Sequence, residues 1–283
     1  MDGVIIINKQ KDFTSHDVVN VIRKKLNTKK VGHTGTLDPN ATGVLPILVG
    51  KATKISKYLI EHDKTYIATI KLGERTVTGD SQGQVVEKKE IPHYLEKKDI
   101  EEVLKSFLGK QKQVPPIYSA IKVNGKKLYE YAREGKEVKL EARQIEIYKI
   151  ELIEYENNRI KFKVDCSKGT YIRTLCEDIS KKIGTVGYME ELQRTKVNNF
   201  KIEKSILLDD ITLENAEENL IKIEDIFKEI SSIELDNRKL ELFLNGVKLT
   251  YALPNNIYRI YNNKQFIGIG IVENKLLKRD IVI

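Results

Sequence analysis

The chain has 283 residues, 40% of them apolar, which is enough for a substantial core and, at roughly 150 residues per domain, for about two domains. Lys and Arg number 49 against 41 Asp and Glu, giving a net charge of +8 and a pI of 9.1, a balance that suits a polyanionic partner without identifying one. No apolar run approaches the ~18 residues of a membrane span, and the run Val4–Ile7 is too short for a secretory signal. The two cysteines, Cys166 and Cys176, lack Cys-x-x-Cys spacing, so a cytoplasmic protein with reduced, buried thiols and no membrane partner is expected.

Val4–Ile7 reads as a buried strand. Thr14-Ser15 then offers N-cap chemistry to a helix whose apolar residues Val18, Val19, Ile22 and Leu26 follow the helical period. A short apolar strand over Val44–Val49 precedes a helix over Ala52–Ile60 and a strand over Thr65–Leu72, with Tyr66, Ala68, Ile70 and Leu72 on one face. A helix is predicted over Asp99–Leu108. A hairpin over Ala120–Leu128 turns at Asn124-Gly125, and a short helix through Tyr129 and Tyr131 ends at Gly135. Strands over Ile145–Ile153 and Arg159–Cys166 lead to a helix over Thr170–Ile183. Beyond about residue 233 only short strands recur, at Ile257–Tyr261, Phe266–Val272 and Ile281–Ile283. This order is α+β without regular βαβ repetition, followed by a small β domain.

Charge divides the chain further. Residues 207–230 hold eight acids and two bases, residues 231–283 hold eight bases and five acids, and residues 1–206 are left with a net +11. An acidic connector thus separates a basic body, expected over 1–230 with the connector, from a mildly basic tail over 231–283. Residues 114–138 interleave Tyr118, Tyr129 and Tyr131 with Lys122, Lys126, Lys127 and Arg133, a mixture that suits solvated lysines and RNA about equally well.

Two motifs carry chemistry. Gly32-His33-Thr34-Gly35-Thr36-Leu37-Asp38-Pro39-Asn40-Ala41-Thr42-Gly43 presents one carboxylate on a glycine-punctuated loop, and Pro39 biases Asp38 away from helix. Taken alone, Asp38-Pro39 reads as a turn or a cap. The second motif, Asp165-Cys166-Ser167-Lys168-Gly169-Thr170-Tyr171-Ile172-Arg173-Thr174, joins a strand to a helix. On that helix Ile172, Leu175, Cys176, Ile179 and Ile183 form the buried stripe and leave Arg173 beside it, free to reach another loop or to pair with Glu177. The histidines, at positions 16, 33, 62 and 93, have no metal-ligand spacing. Gly50-Lys51-Ala52-Thr53 fails as a P-loop because Leu45 stands where the first glycine must be.

Both motifs resemble those of the TruB family of tRNA pseudouridine synthases, Gly-His-Thr-Gly-x-Leu-Asp-Pro-x-Ala-Thr-Gly and Cys-Ser-x-Gly-Thr-Tyr-Ile-Arg, and the tail more loosely resembles the family's PUA RNA-binding module. The resemblance implies a mixed, largely antiparallel sheet with flanking helices and a C-terminal PUA-like β barrel. It implies isomerisation of uridine 55 in the tRNA T-loop by base flipping, without metal, nucleotide or redox cofactor. Asp38 becomes the catalytic residue, ionised beside Arg173; Tyr66, in Lys64-Thr65-Tyr66, stacks on the base, Tyr171 joins the same pocket, and His33 fills the place of the extruded base. Lys9 and Lys64 join these residues as substrate contacts, and 114–138 becomes an insertion gripping the T-loop and elbow. A monomer acting without guide RNA is expected. One departure stands near the N-terminus, where the family's Lys-Pro-x-Gly is Lys9-Gln10-Lys11-Asp12 here, with Lys9, Thr14 and Ser15 retained. Two other classes compete: a nucleosidase with Asp80 as second carboxylate, and an RNA chaperone without chemistry.

Overall fold

Residues Gly3–Lys9 form strand β1, and both of its faces are apolar: Ile5 and Ile7 enter one core while Val4 and Ile6 enter another. Such a strand must be covered on both sides, and the rest of the chain supplies the two covers. The computed structural model describes residues 1–283 except Glu61, Ala120, Glu137 and Lys139. Helix α1 (Ser15–Lys25) starts at Thr14, whose hydroxyl accepts from the Asp17 amide at 3.0 Å while Asp17 accepts from the Thr14 amide at 2.9 Å.

Strands β2 (Val31–His33) and β3 (Thr42–Val49) flank the Asp38 loop, and β3 pairs antiparallel with β1 in the register Ile5↔Ile47. The helix expected over Ala52–Ile60 divides in two, a 3₁₀ turn over Gly50–Ile55 and helix α2 over Ser56–Ile60. The Thr53 hydroxyl donating to the Gly50 carbonyl at 2.8 Å favours the tighter turn. Next come β4 (Lys64–Leu72), the hairpin of β5 (Glu74–Thr76) and β6 (Val85–Lys88), α3 (Lys97–Lys105) and β7 (Gly109–Gln113). Helix α3 begins two residues before and ends three residues before the expected Asp99–Leu108; Asp99 is its third residue, accepting from the Glu96 amide at 2.9 Å.

A small hairpin of β8 (Lys122–Val123) and β9 (Lys126–Lys127) turns at Asn124-Gly125 and runs into α4 (Leu128–Arg133); its expected start, Ala120, lies outside the described residues. The long strand β10 (Arg143–Glu156), β11 (Arg159–Cys166), α5 (Ile172–Ile183) and β12 (Gly187–Val197) complete the frame, with β13 (Phe200–Lys201) and β14 (Ile206–Leu207) at its margins. The main sheet runs β14-β1-β3-β12-β4-β11-β10-β7, with β2 on β3 and β13 on β12. Its pairs are antiparallel except β1–β14 and β3–β12, so the sheet is mixed and largely antiparallel, as expected.

Helices α1, α3 and α5 cover one face with Val18, Ile22, Ile100, Leu104, Leu175 and Ile179. The other face, around Val4, Ile6, Val44 and Leu48, is covered by Ala52, Ile55 and Leu59, by Ile223 of helix α6 (Ile223–Ile226) with the adjoining Phe227, and by the C-terminal sheet through Ile269 and Ile281. That sheet contains β15 (Ser232–Glu234), β16 (Leu249–Thr250), β17 (Asn256–Asn262), β18 (Gln265–Glu273) and β19 (Leu276–Val282), ordered β15-β17-β18-β19-β16, with helix α7 (Asn237–Leu244) between β15 and β16. It curls into a half-barrel around Phe243, Tyr258, Ile260 and Leu277. Seams to the body run from Lys57 to the Asp280 carboxylate, and from the Tyr58 hydroxyl to the same carboxylate at 2.6 Å.

Candidate active site

The Asp38 loop is fastened by hydrogen bonds from its own surroundings. Gly35 has φ 72°, and the Ser15 hydroxyl both accepts from the Leu37 amide (2.9 Å) and donates to the Leu37 carbonyl (3.1 Å). Lys9 is fully buried, and its ammonium donates to the carbonyls of Phe13 (2.6 Å), Gln10 (3.0 Å) and Pro39 (3.2 Å). Burial lowers its pKa to about 8. Lys9 does not line the cavity that holds Asp38; its ammonium braces the loop through the Pro39 carbonyl. The altered Lys9–Asp12 segment keeps its turn, because Asp12 adopts φ 68° at the position of the family's glycine and its amide reaches the Pro39 carbonyl at 2.8 Å.

Asp38 emerges from this loop on the wall of a cavity of about 710 Å³. Arg173, in the first turn of α5, meets it: Nε lies 3.1 Å from one carboxylate oxygen and Nη2 3.5 Å from the other. The guanidinium also donates to the carbonyls of Tyr118 (2.8 Å) and Thr78 (3.2 Å), and lies 3.6 Å from Asp80. It is thereby fixed to three separate segments, and among the described residues its ion pairs are with Asp38 and Asp80, not with Glu177. Gln113 aims it, since the Gln113 amide accepts from the Tyr171 amide at 2.8 Å and donates to the Tyr171 carbonyl at 3.1 Å, which sets where α5 begins. Burial raises the Asp38 pKa; Arg173 is the strongest opposing influence, and Asp80 adds a smaller upward push. The guanidinium offsets part of the desolvation and gives the carboxylate a fixed direction.

Tyr66, 7% exposed, belongs to the core cluster and to the cavity wall at once. Burial raises its pKa to about 12. Lys64 and Tyr171 also line the cavity; burial and the nearby Arg194 lower Lys64 to about 8. His33 ends β2 beside the loop rather than in the cavity wall, and its Nδ1 is buried without a hydrogen-bond partner. Burial lowers its pKa, which favours the neutral ring. Asp80 does not line the cavity: it accepts from the Thr78 hydroxyl at 2.7 Å and the Gln82 amide at 3.1 Å behind Arg173.

From the 114–138 segment, Tyr118, Ser119 and Tyr129 reach the cavity wall. Around them Lys127 and Arg133 approach the Tyr129 ring at 5.4 and 5.5 Å, and Lys126 the Tyr131 ring at 5.0 Å. Strand β12 adds two cavity residues absent from the sequence reading, Leu192 and Arg194. Arg194 is 1% exposed and donates to the carbonyls of Val44 (2.8 Å) and Gly35 (2.9 Å). Among the described residues no cluster of His, Cys, Asp or Glu could hold a metal, and no helix is long and apolar enough to cross a membrane. The chemistry available is that of a single oriented carboxylate, an aromatic wall and a cationic rim.

Residues 23–172 match the model of the TruB family pseudouridylate synthase N-terminal domain, and residues 173–233 that of the tRNA pseudouridylate synthase B C-terminal domain. The chain is 45% identical over 282 residues to the tRNA pseudouridine synthase B of Caldanaerobacter subterraneus subsp. tengcongensis, covering 98% of both chains. It is 46% identical over 276 residues to that of Clostridium tetani, covering 95% of both. Among solved structures, a chain of a Cbf5-Nop10-Gar1 complex superposes with a TM-score of 0.71 at 26% identity, covering 99% of this chain and 83% of that one. On the family models, the full-length relatives and the shared fold, the chain belongs to the TruB family of pseudouridine synthases.

Proposed function

We propose that this chain isomerises uridine 55 in the T-loop of tRNA to pseudouridine, with Asp38 as the catalytic group. The observation carrying this reading is the Asp38–Arg173 pair on the wall of a cavity roomy enough for a nucleoside. Within a stacked loop neither C1′ nor C5 of the uridine is accessible, so the nucleotide must be extruded, at a cost of a few kcal/mol. Tyr66 offers the base a stacking surface, a contact of the kind worth about 1–3 kcal/mol, and His33 stands beside the loop where the vacated position would be filled. Asp38 acts on the nucleotide, the N1–C1′ bond breaks, the retained uracil turns, and C5 bonds to C1′ while N1 gains a proton and C5 loses one to solvent.

The solved chain of similar fold belongs to a Cbf5-Nop10-Gar1 complex. For this chain we infer action on tRNA by a monomer in the cytoplasm, without guide RNA: the 114–138 segment supplies its own aromatic and cationic rim, and the half-barrel over 231–283 adds a basic RNA-binding module. Arg173, Lys64 and Tyr171 are assigned to the substrate site with Tyr66 and His33. Asp80 stands behind Arg173 with both oxygens engaged, which disfavours the two-carboxylate nucleosidase.

The test incubates purified protein alone with unmodified tRNA transcript carrying tritium at uridine C5. Tritium release with unchanged RNA mass, abolished by Asp38→Asn, is expected. Release of free uracil, or equal release by the variant, overturns the assignment.

A further inference from the structure

We propose that Arg194 is a positioning residue for Tyr66, holding the tyrosine hydroxyl oxygen so that its one proton is directed to the bound nucleotide. The inference rests on the functional reading above and adds a residue to it. Tyr66 on β4 and Arg194 on β12 are direct partners in the strand register, so their side chains leave the sheet together on one face. Both are almost wholly buried and both line the cavity that holds Asp38, so the guanidinium and the phenol stand side by side in one enclosed space.

Two features separate this arginine from a passive fastener. The first is its charge. Among the described residues Arg194 forms no ion pair, and beyond burial Tyr66 is the group that acts on it. A guanidinium buried among carbonyls and a phenol is costly to keep, and a neutral donor could have tied the same backbone groups together. The second is the polarity of its hydrogen bonding. A guanidinium only donates, so a phenol facing it must accept through oxygen, which leaves the phenolic proton to be donated elsewhere. With the rest of the ring packed in the core, the remaining direction is the cavity. Arg173 and Arg194 therefore divide the work, one orienting a carboxylate and the other a hydroxyl donor. The Gly35 bond ties the second arrangement to the loop that carries Asp38.

The test is a double-substitution cycle on full-length protein, reading single-turnover tritium release and tRNA dissociation constants for wild type, Arg194→Met, Tyr66→Phe and the double variant. Each single substitution is expected to slow turnover by about 30-fold or more with tRNA affinity changed less than about threefold, and the double variant to be no slower than the worse single one. Slowing of the double variant by the product of the two effects, or unimpaired turnover by Tyr66→Phe, overturns the proposal. Arg194→Lys keeps a cationic donor and provides the same comparison should Arg194→Met not fold: it is expected to slow the wild-type background by about tenfold and the Tyr66→Phe background hardly at all. Equal slowing in both backgrounds would reduce Arg194 to a loop fastener. Absence of tritium release by wild type would instead sink the functional reading itself.

Discussion

Asp38 and Arg173 have opposing effects on one proton, and the sign of their interplay can be measured. Burial raises the Asp38 pKa while the guanidinium lowers it, with a net upward shift, so a reaction that needs the carboxylate loses rate as pH falls through that raised pKa. Arg173→Met removes the lowering influence, and the acid limb of the single-turnover pH profile is expected to move to higher pH, with tRNA affinity largely kept. A limb moving to lower pH would mean that Arg173 acts on something other than this carboxylate. Lys9 makes a different prediction. Replacing it with Met leaves three buried carbonyls without their donor, and a loss of about 2–4 kcal/mol in denaturant unfolding is expected, at roughly 1–3 kcal/mol per unsatisfied group less relaxation. Asp38 and Arg173 were legible because both stand in motifs; the bracing role of Lys9 was not, because nothing in a sequence says which way an ammonium points.

At the scale of elements, the Asp12 turn replaces a glycine-bearing loop by a residue that tolerates a left-handed backbone. Asp12→Gly is expected to hold or raise stability by up to about 1 kcal/mol, whereas Asp12→Val, strained by its branched side chain at φ 68°, should lose about 1–2 kcal/mol. Thermal melts of both variants check this. The cationic rim on β8–β9 is tested by salt: replacing Lys122, Lys126 and Lys127 with Ala should flatten the dependence of log K for tRNA on log salt by about 2 to 3, if each meets one phosphate. Strand β12 is where sequence reading failed. Gly187–Val197 pairs with both β3 and β4 at the middle of the sheet, yet its Glu190, Glu191, Arg194 and Lys196 break the apolar alternation. Register shifts at Met189/Glu191 and Arg194/Lys196 change which side chains face the core, so no constant period of two survives to be read. Strand β11, alternating along its length, was legible from end to end, and β4 to within one residue. The cost of missing β12 was Arg194 and Leu192.

For the whole molecule, the basic tail predicted from composition is not a loosely tethered module. Val4, Ile6, Val44 and Leu48 from the body share one cluster with Ile223, Phe227, Ile269 and Ile281, and Arg259 holds the junction by donating to the Ile230 carbonyl at 2.8 Å. Ile269→Ala should accordingly lower the stability of the entire chain by about 2–4 kcal/mol in one cooperative transition, and a separate early transition of the tail would contradict the shared cluster. The seam also alters what a break in the chain would do. A peptide bond cut between residues 230 and 231 removes the covalent tie but not the apolar surface shared by the two pieces, so the fragments should elute together on gel filtration as a nicked pair. Evolution can then exchange the tail only along with the face that receives it.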